Sequence, residues 1–370
     1  MPRPDPHIII SGGGTGGHIF PAIAIANALK EKFENVNILF VGAKGKMEME
    51  KVPTAGYPIE GLWISGLQRR LDWRNLLFPV RLVSSLIHAG KIVSRFKPDL
   101  AIGTGGYASG PLLYVASRRK VPTLILEQNS YPGMTNKWLS GRVNKICVGY
   151  EGMESYFPPE KIVVTGSPIR KEILEMKATR EDGISAFGLD NDKPVLLIIG
   201  GSQGARRVNQ TLLDHLEEII MTGVQLLWQT GKYSYQKAES AVKAKGLEKE
   251  VKVVEFIQHM DMAYAAADLI VSRAGAIAIA EITEARKPAI YVPLPSAAED
   301  HQTKNAMRLV SGHAAVMVAE AELDQKLVTM IRDLIERSSD RLVMVQNLKR
   351  FSHPHATEMI MEQALKLISN

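Results

Sequence analysis

Short runs of apolar, β-branched residues alternate along the chain with glycine-rich turns and longer helical stretches. In the first half, the runs that predict strands are residues 7–10, 37–41, 100–103, 123–126, 145–148 and 161–164. A helical pattern follows the first of them, over residues 19–33. Strands that alternate with helices and are bounded by turn residues predict parallel sheets with crossover helices.

The same pattern restarts after a charged stretch at residues 171–193. Its predicted strands are residues 195–199, 225–229, 251–256, 269–272 and 289–292. Two such sets predict an α/β protein of two Rossmann-like, doubly wound domains that face each other across a cleft. We assign residues 1–167 to the N-terminal domain and 168–353 to the C-terminal domain. The final helix, within 354–370, could pack on either, with the first as our working assignment.

Composition narrows the class of protein without choosing a function. The 370 residues are 45% hydrophobic and 23% charged, which is typical of globular proteins and excludes disordered and fibrous ones. A net charge of +6 suits a partner that carries phosphates. The single cysteine, Cys147, excludes an internal disulfide framework and a cysteine-cluster metal site. We find no export signal and no membrane-spanning run, and expect a cytosolic protein that meets a membrane only at its surface.

The first glycine loop follows a predicted strand and precedes a predicted helix. Gly12, Gly14 and Gly17 have the G-x-G-x-x-G spacing, which lets the backbone approach a phosphate. A dinucleotide site also needs an acidic residue at the end of the second strand. That strand ends in residues 41–43, Val-Gly-Ala, so the nicotinamide interpretation loses its second support. No glycine loop supplies the lysine and hydroxyl of a nucleotide-hydrolysing P-loop.

His18 follows the last glycine of this loop, in the predicted first turn of the helix. The positive end of the helix dipole disfavours imidazolium, so this histidine is expected to be neutral and able to accept a proton. A histidine that only hydrogen-bonds locally is the alternative.

An ordered set of motifs carries a resemblance that covers nearly the whole chain. The set comprises residues 13–21 (GGTGGHIFP), 103–107 (GTGGY), 127–129 (EQN), 200–205 (GGSQGA), 272–276 (SRAGA), Glu281 and 301–306 (HQTKNA). In this order the motifs resemble the MurG family, glycosyltransferases of family 28. The resemblance implies a GT-B fold and an inverting transferase. It would move N-acetylglucosamine from UDP-N-acetylglucosamine to the C4 hydroxyl of the undecaprenyl-linked muramoyl pentapeptide, lipid I, to make lipid II in peptidoglycan synthesis, a process tied to cell shape and division.

The resemblance also implies roles for individual residues. It makes His18 the general base, with the acceptor near Gly14, Gly105, Gly106 and Tyr107. Ser202 would contact the pyrophosphate, the backbone of Ile257 the uracil, Glu281 the ribose and Gln302 the sugar. The remaining implied donor contacts are Thr15, Gly16, Gly17, Asn129, Arg170, Ala276, Ile277, Ala278, Ile279 and Ala280.

The segment 68–97 is basic and carries interleaved apolar residues. It holds seven Lys and Arg residues against one acid, Asp72. Such a pattern favours contact with an anionic membrane surface, and the expected contact residues are Leu76, Leu77, Phe78, Arg74 and Arg81. An amphipathic helix with its apolar side in the core is the alternative. No nucleic-acid-binding motif accompanies the segment. With the resemblance, it predicts a peripheral protein on the cytoplasmic face of the inner membrane.

No cofactor and no metal are expected. Residues 190–192 have the D-x-D spacing of metal-dependent transferases, but they precede a strand instead of following one. Other interpretations remain open: a transferase or epimerase acting on another UDP-sugar, a dinucleotide-dependent oxidoreductase, or a non-catalytic lipid-binding protein.

Overall fold

The computed structural model describes residues 5–66, 77–200 and 204–369, which form two compact units. The N-terminal unit extends to Arg170 and also contains the segment that begins at His353. The C-terminal unit is Lys171–Ser352. The chain thus passes into the second unit three residues beyond the predicted boundary at residue 167.

The N-terminal unit is built on a parallel sheet. Its strands are β1 (His7–Gly12), β2 (Asn37–Ala43), β3 (Ile59–Leu62), β4 (Leu100–Gly105), β5 (Thr123–Glu127), β6 (Lys145–Val148) and β7 (Ile162–Val164). The helices in its first segment, which ends at Arg170, are α1 (Gly16–Lys32), α2 (Glu48–Thr54), α3 (Phe78–Phe96), α4 (Ser109–Arg118) and α5 (Met134–Leu139). The strand order is β3-β2-β1-β4-β5-β6-β7.

Alternating side chains of β1 serve the two faces of this sheet. Ile9 packs into the cluster with Ala89 of α3, whereas Ile8 and Ile10 pack into the cluster with Ile25 of α1. Because side chains of a strand point alternately to its two faces, an uninterrupted apolar run is what a sheet covered on both sides requires.

The C-terminal unit repeats this plan. Its strands are β8 (Val195–Ile199), β9 (Gln225–Gln229), β10 (Val251–Val254), β11 (Leu269–Ser272), β12 (Ala289–Tyr291) and β13 (Val316–Met317), in the parallel order β10-β9-β8-β11-β12-β13. Its helices are α6 (Lys171–Leu174), α7 (Arg180–Phe187), α8 (Arg206–Asp214), α9 (Leu216–Ile220), α10 (Tyr235–Ala244), α11 (Met260–Ala266), α12 (Ala276–Glu284), α13 (His301–Ser311), α14 (Leu323–Glu336) and α15 (Ser338–Leu348).

The last helix, α16 (Ala356–Ser369), returns to the N-terminal unit. Ile360, Met361 and Ala364 are buried in the cluster that also holds Ile25 and Leu29 of α1. The side chains of α16 therefore complete one face of the first sheet, which answers the question that the sequence left open.

The predicted fold class, two Rossmann-like α/β domains, is confirmed. In each sheet the strand order reverses between two neighbours, β1 and β4 in the first and β8 and β11 in the second. Ligands of such sheets bind beyond the carboxyl ends of the strands at this reversal. The edge strands β3 and β13 were not predicted from the sequence, and β1, β2 and β4 each extend two residues beyond the predicted end.

Candidate functional site

Two glycine loops of the N-terminal unit meet where the order of the first sheet reverses. The backbone N–H of Gly13, after β1, donates to the carbonyl of Gly105, at the end of β4, over 3.2 Å. Gly106 has a φ of +91°, and a Cβ there would lie 2.3 Å from the carbonyl oxygen of Gly13. Only glycine allows this close approach of the two loops.

His18 lies in the first turn of α1, directly over this meeting point. Its Nδ1 is 3.0 Å from the carbonyl oxygen of Gly13 and 3.4 Å from the hydroxyl of Thr15, the residue that caps α1. Because a carbonyl can only accept, Nδ1 carries the proton, and in the neutral ring the lone pair is then on Nε2. A Cβ on Gly105 would lie 2.8 Å from Nε2, so the backbone passes close to this nitrogen.

The residues predicted to contact the acceptor surround the same point. Tyr107 is exposed, and its ring lies 3.9 Å from where a Cβ of Gly14 would be. Gly14 has a φ of +83°. Together with Gly105 and Gly106, these residues form one patch at the carboxyl edge of the sheet, and Gly16 and Gly17 open the helix beside it.

Asn129, predicted to contact the donor, is held in place by a carboxylate that the sequence analysis quoted but gave no role. Buried Glu127 accepts the backbone and side-chain N–H groups of Asn129 on Oε1, each at 3.1 Å. Its other oxygen accepts from Gly133 N–H and Asn136 Nδ2, each at 2.9 Å. Arg170, another predicted donor contact, is the half-buried last residue of this unit's first segment.

The second strand itself ends without an acid, as its sequence shows, but an acidic side chain from the next helix reaches that end. Glu48, the first residue of α2, places its carboxylate there and accepts the N–H of Ala43, the last residue of β2, at 2.9 Å. Both of its oxygens already accept backbone N–H groups, those of Ala43 and Gly14, so it serves as an internal hydrogen-bonding group and not as a ribose-binding acid. The signal was absent from the strand itself because Glu48 lies five residues beyond Ala43.

In the C-terminal unit a cavity of about 750 Å³ opens at the reversal of the second sheet. Its lining includes Gly200 and Gly204 after β8, Ser272 and Arg273 after β11, Ala278 of α12, and Gln302 of α13. Ser202, predicted to contact a pyrophosphate, lies outside the described residues. The cavity thus lies between the glycine residues that follow β8 and the first turn of α12.

Helix α12 begins at this cavity with its backbone donors uncapped by any described side chain. Gly275 precedes its first residue, Ala276, and the first turn holds no acid. The N–H groups of Ala276, Ile277 and Ala278 have no intrahelical acceptor by their position, and the helix dipole favours an anion beside them. Residues 276–280, which the resemblance makes donor contacts, therefore begin at a helix end that favours an anion.

The two residues predicted to bind the nucleoside, Glu281 of α12 and Ile257, are both buried. The Tyr264 hydroxyl donates to Glu281 Oε2 at 3.2 Å, and both residues are buried. The backbone N–H of Ile257 donates to Gln229 Oε1 at 3.0 Å. A uracil bound by the Ile257 backbone would therefore donate to the Ile257 carbonyl, or it would displace the Gln229 side chain from the Ile257 N–H.

The residue predicted to bind the sugar, Gln302, also orders a loop. Its Oε1 accepts the N–H of Leu294 at 3.0 Å, just beyond β12. Arg273 reinforces this loop by donating to the carbonyls of Val292 and Pro293 at 3.2 and 3.1 Å and by pairing with Glu320.

Sequence comparison decides the family. The profile described as the glycosyltransferase family 28 N-terminal domain matches residues 8–148, and that of the family 28 C-terminal domain matches residues 195–360. A relative from Cytophaga hutchinsonii is 50% identical over 370 residues, which is 100% of this chain and 99% of that protein. The chain belongs to glycosyltransferase family 28.

The relatives within family 28 carry one descriptive name. The Cytophaga hutchinsonii protein and a Flavobacterium psychrophilum protein, 46% identical over 98% of both chains, are named UDP-N-acetylglucosamine–N-acetylmuramyl-(pentapeptide) pyrophosphoryl-undecaprenol N-acetylglucosamine transferase. Among solved structures, MurG of Acinetobacter baumannii is similar, with a TM-score of 0.75, 27% identity, and coverage of 98% of this chain and 99% of that one. The predicted resemblance is confirmed.

The predicted membrane residues of this family 28 chain are only partly described. Arg74 and Leu76 lie outside the described residues. Leu77 is exposed and Phe78 half-buried, and Arg81 donates to Ser65 Oγ at 2.6 Å. In the described ranges no helix is both long and apolar enough to cross a membrane.

Helix α3 has two apolar faces, a feature that the sequence analysis did not resolve. Its core face holds Ala89, Ile92 and Val93. On another face the side chains of Val80, Val83 and Ile87 are 56%, 56% and 58% exposed. Their i, i+3, i+7 spacing is the signal that could have found this stripe in the sequence.

Neither Cys147 nor an acidic cluster contributes to these sites. Cys147 is fully buried, and burial raises the pKa of its thiol to about 12, so it is protonated at neutral pH. Within residues 5–66, 77–200 and 204–369, no group of three or more His, Cys, Asp and Glu side chains could hold a metal ion. Asp190 forms a turn instead, accepting the N–H of Asp192 at 2.9 Å.

Proposed function

We propose that this family 28 protein transfers N-acetylglucosamine from UDP-N-acetylglucosamine to the C4 hydroxyl of lipid I and releases UDP and lipid II. The observation that carries the proposal is the full-length similarity, at 46–50% identity, to proteins whose names state this donor and acceptor. The geometry of each unit supports one half of the reaction.

The acceptor half uses the patch around His18. The C4 hydroxyl oxygen attacks the anomeric carbon, its proton passes to His18 Nε2, and a β-1,4 bond forms with inversion. The hydrogen bond from Nδ1 to the Gly13 carbonyl supports this role, because it keeps the ring in the tautomer that accepts a proton on Nε2. Exposed Tyr107 offers the acceptor an aromatic surface beside the loops.

The donor half uses the cavity of the C-terminal unit. The bond between the anomeric carbon and the β-phosphate oxygen breaks, and negative charge develops on the leaving diphosphate. The uncapped N–H groups at the start of α12 support stabilisation of that charge. Glu281 would accept the ribose hydroxyls, and Gln302 would bind the sugar.

Donor titration and transfer assays test the proposal together. We expect calorimetry to show tighter binding of UDP-N-acetylglucosamine than of UDP-N-acetylgalactosamine, UDP-glucose or NADH. We also expect labelled N-acetylglucosamine to pass to a lipid I analogue with a shortened prenyl chain. Binding of NADH alone, or sugar transfer to water but never to the analogue, would refute the assignment.

We further propose that the protein binds the cytoplasmic face of the inner membrane through the outer stripe of α3. Val80, Val83 and Ile87 supply exposed apolar side chains, and exposed Lys91 on the same helix supplies positive charge. Exposed apolar residues beside basic ones favour an anionic lipid surface.

Replacing Val80, Val83 and Ile87 together by serine is expected to release the protein from vesicles rich in phosphatidylglycerol. Losing roughly 1 kcal/mol of apolar burial per side chain should weaken binding about 100-fold. Vesicle sedimentation measures this affinity. The matched control replaces three exposed apolar residues of the C-terminal unit, Met221, Leu342 and Val343, by serine. Equal losses in both triple variants would show that the stripe has no special role.

A further inference from the structure

Glu48 is a fully buried carboxylate directly beneath the first glycine loop. Its exposed fraction is 0%. Oε1 accepts the N–H of Ala43 at 2.9 Å, and Oε2 accepts the N–H of Gly14 at 2.9 Å. Burying a carboxylate is costly unless its oxygens are paired, and here two backbone donors pair them. The side chain thus joins the end of β2 to the loop that follows β1.

The glycines around Glu48 leave room for its side chain. A Cβ on Gly13 would lie 2.2 Å from Oε1, and a Cβ on Gly42 would lie 2.5 Å from Cγ. Neither position could hold a larger residue while the carboxylate stays in place. Glycine at these two positions therefore serves an internal hydrogen-bonding group, in addition to any approach of a ligand to the loop.

A single peptide group connects Glu48 to His18. The N–H of Gly14, which donates to Glu48, and the carbonyl of Gly13, which accepts from His18 Nδ1 at 3.0 Å, belong to the same peptide bond. Because a trans peptide is planar, its N–H and C=O point in opposite directions. A carboxylate that fixes the N–H therefore also fixes the direction of the carbonyl that faces the imidazole.

We propose that Glu48 is a positioning residue for His18 and acts through the Gly13–Gly14 peptide group. It holds that peptide in the orientation whose carbonyl accepts the Nδ1 proton, and so holds the lone pair on Nε2. If the peptide turned over, its N–H would face Nδ1 and favour the opposite tautomer. This role rests on the proposed function, in which His18 Nε2 takes the proton of the acceptor hydroxyl.

The test substitutes Glu48→Gln, which keeps the size of the side chain but replaces one acceptor oxygen by an NH₂ donor. One of the two backbone N–H groups then loses its acceptor. We expect the ring-nitrogen NMR signals of His18 to change from the Nδ1–H tautomer to a mixture. We expect kcat to fall about 100-fold, the order that displacement of a catalytic group by about 1 Å costs, with an unchanged KM for the donor.

Asp99→Asn is the matched control. Asp99 Oδ2 accepts the N–H of His7 at 2.9 Å, so it too is a carboxylate that accepts a backbone N–H, but at the end of β1 opposite to the loop that holds Gly14. We expect Asp99→Asn to lower the free energy of unfolding as Glu48→Gln does, while the His18 signals and kcat stay as in the wild type. If the two variants lower kcat equally, or if the His18 tautomer survives in Glu48→Gln, the proposal is wrong.

The wild-type protein alone provides a second test, which does not depend on whether a variant folds. Ring-nitrogen spectra that show His18 mainly as the Nε2–H tautomer would overturn the proposal. The measurement needs no substrate, so it also separates the two hypotheses. A tautomer that depends on Glu48, in a protein that transfers no sugar, would contradict the proposed function and leave the positioning role intact.

Discussion

Replacing His18 by alanine is expected to lower kcat by about 100- to 10,000-fold, the contribution that general-base catalysis typically makes. The affinity for UDP-N-acetylglucosamine should stay unchanged, because the imidazole is proposed to act on the acceptor hydroxyl. The hydrogen bond from Nδ1 to the Gly13 carbonyl leaves Nε2 as the basic nitrogen, and Gly105 lies close to it without a side chain that would cover it.

Single-turnover transfer to a lipid I analogue measures the chemical step, and calorimetry measures the affinity for the donor. His7→Gln is the matched control, because His7 Nδ1 also contacts a carbonyl, that of Phe96 at 2.9 Å, but at the amino end of β1. His7→Gln should retain the wild-type kcat. A His18→Ala variant with normal turnover would exclude His18 as the base, and a matching loss of donor affinity would point to a binding role.

The interior strands could be predicted from the sequence because each is a continuous apolar run. The bounds of β8, β9 and β11 agree with the prediction, and all three lie inside the second sheet. The missed strands lack that pattern. Ile59–Leu62 contains a glutamate and a glycine, and Val316–Met317 is two residues long. Both are edge strands, which depend on pairing with one neighbour and not on burial of a long apolar run.

The ends of β1 and β4 show a related limit. In the sequence the glycines at these ends suggest turns. In the structure both strands continue into them, because Gly12 of β1 pairs with Gly105 of β4. Glycine has a low intrinsic preference for strands, so only the pairing partner, ninety-three positions away, extends the ladder. The same pairing brings the two loops together, which the sequence could not show.

The parts of the candidate site that lie in continuous sequence motifs could be predicted from the sequence. The glycine loops and His18 belong to continuous motifs, and in the structure Gly14, Gly105, Gly106 and Tyr107 lie close together. Glu48 was not predictable, because its role depends on the tertiary contact of its carboxylate with Gly14. An acid was sought only among the residues at the end of β2. The Glu48 side chain belongs to α2 and reaches the end of β2 only in the folded structure.

The second large effect is expected on binding of UDP to the C-terminal unit. Glu281→Gln is expected to raise the dissociation constant of UDP about 10- to 100-fold, since hydrogen bonds to a charged group contribute about 1.5–3 kcal/mol. Glutamine keeps the volume and can still accept from the Tyr264 hydroxyl, which lies 3.2 Å from Oε2 in the wild type. The change therefore removes the negative charge and one acceptor while the packing around α12 is retained.

Comparison of UDP with its 2′-deoxy analogue assigns this loss to the ribose. In the wild type the analogue should bind more weakly than UDP, and in Glu281→Gln the difference should shrink, because the proposed acceptor of the 2′-hydroxyl is gone. Glu284→Gln is the matched control on the same helix, since its carboxylate accepts from Ser352 Oγ at 2.8 Å. A full preference for UDP over the analogue in Glu281→Gln would mean that Glu281 stabilises α12 through Tyr264 and does not contact the ribose.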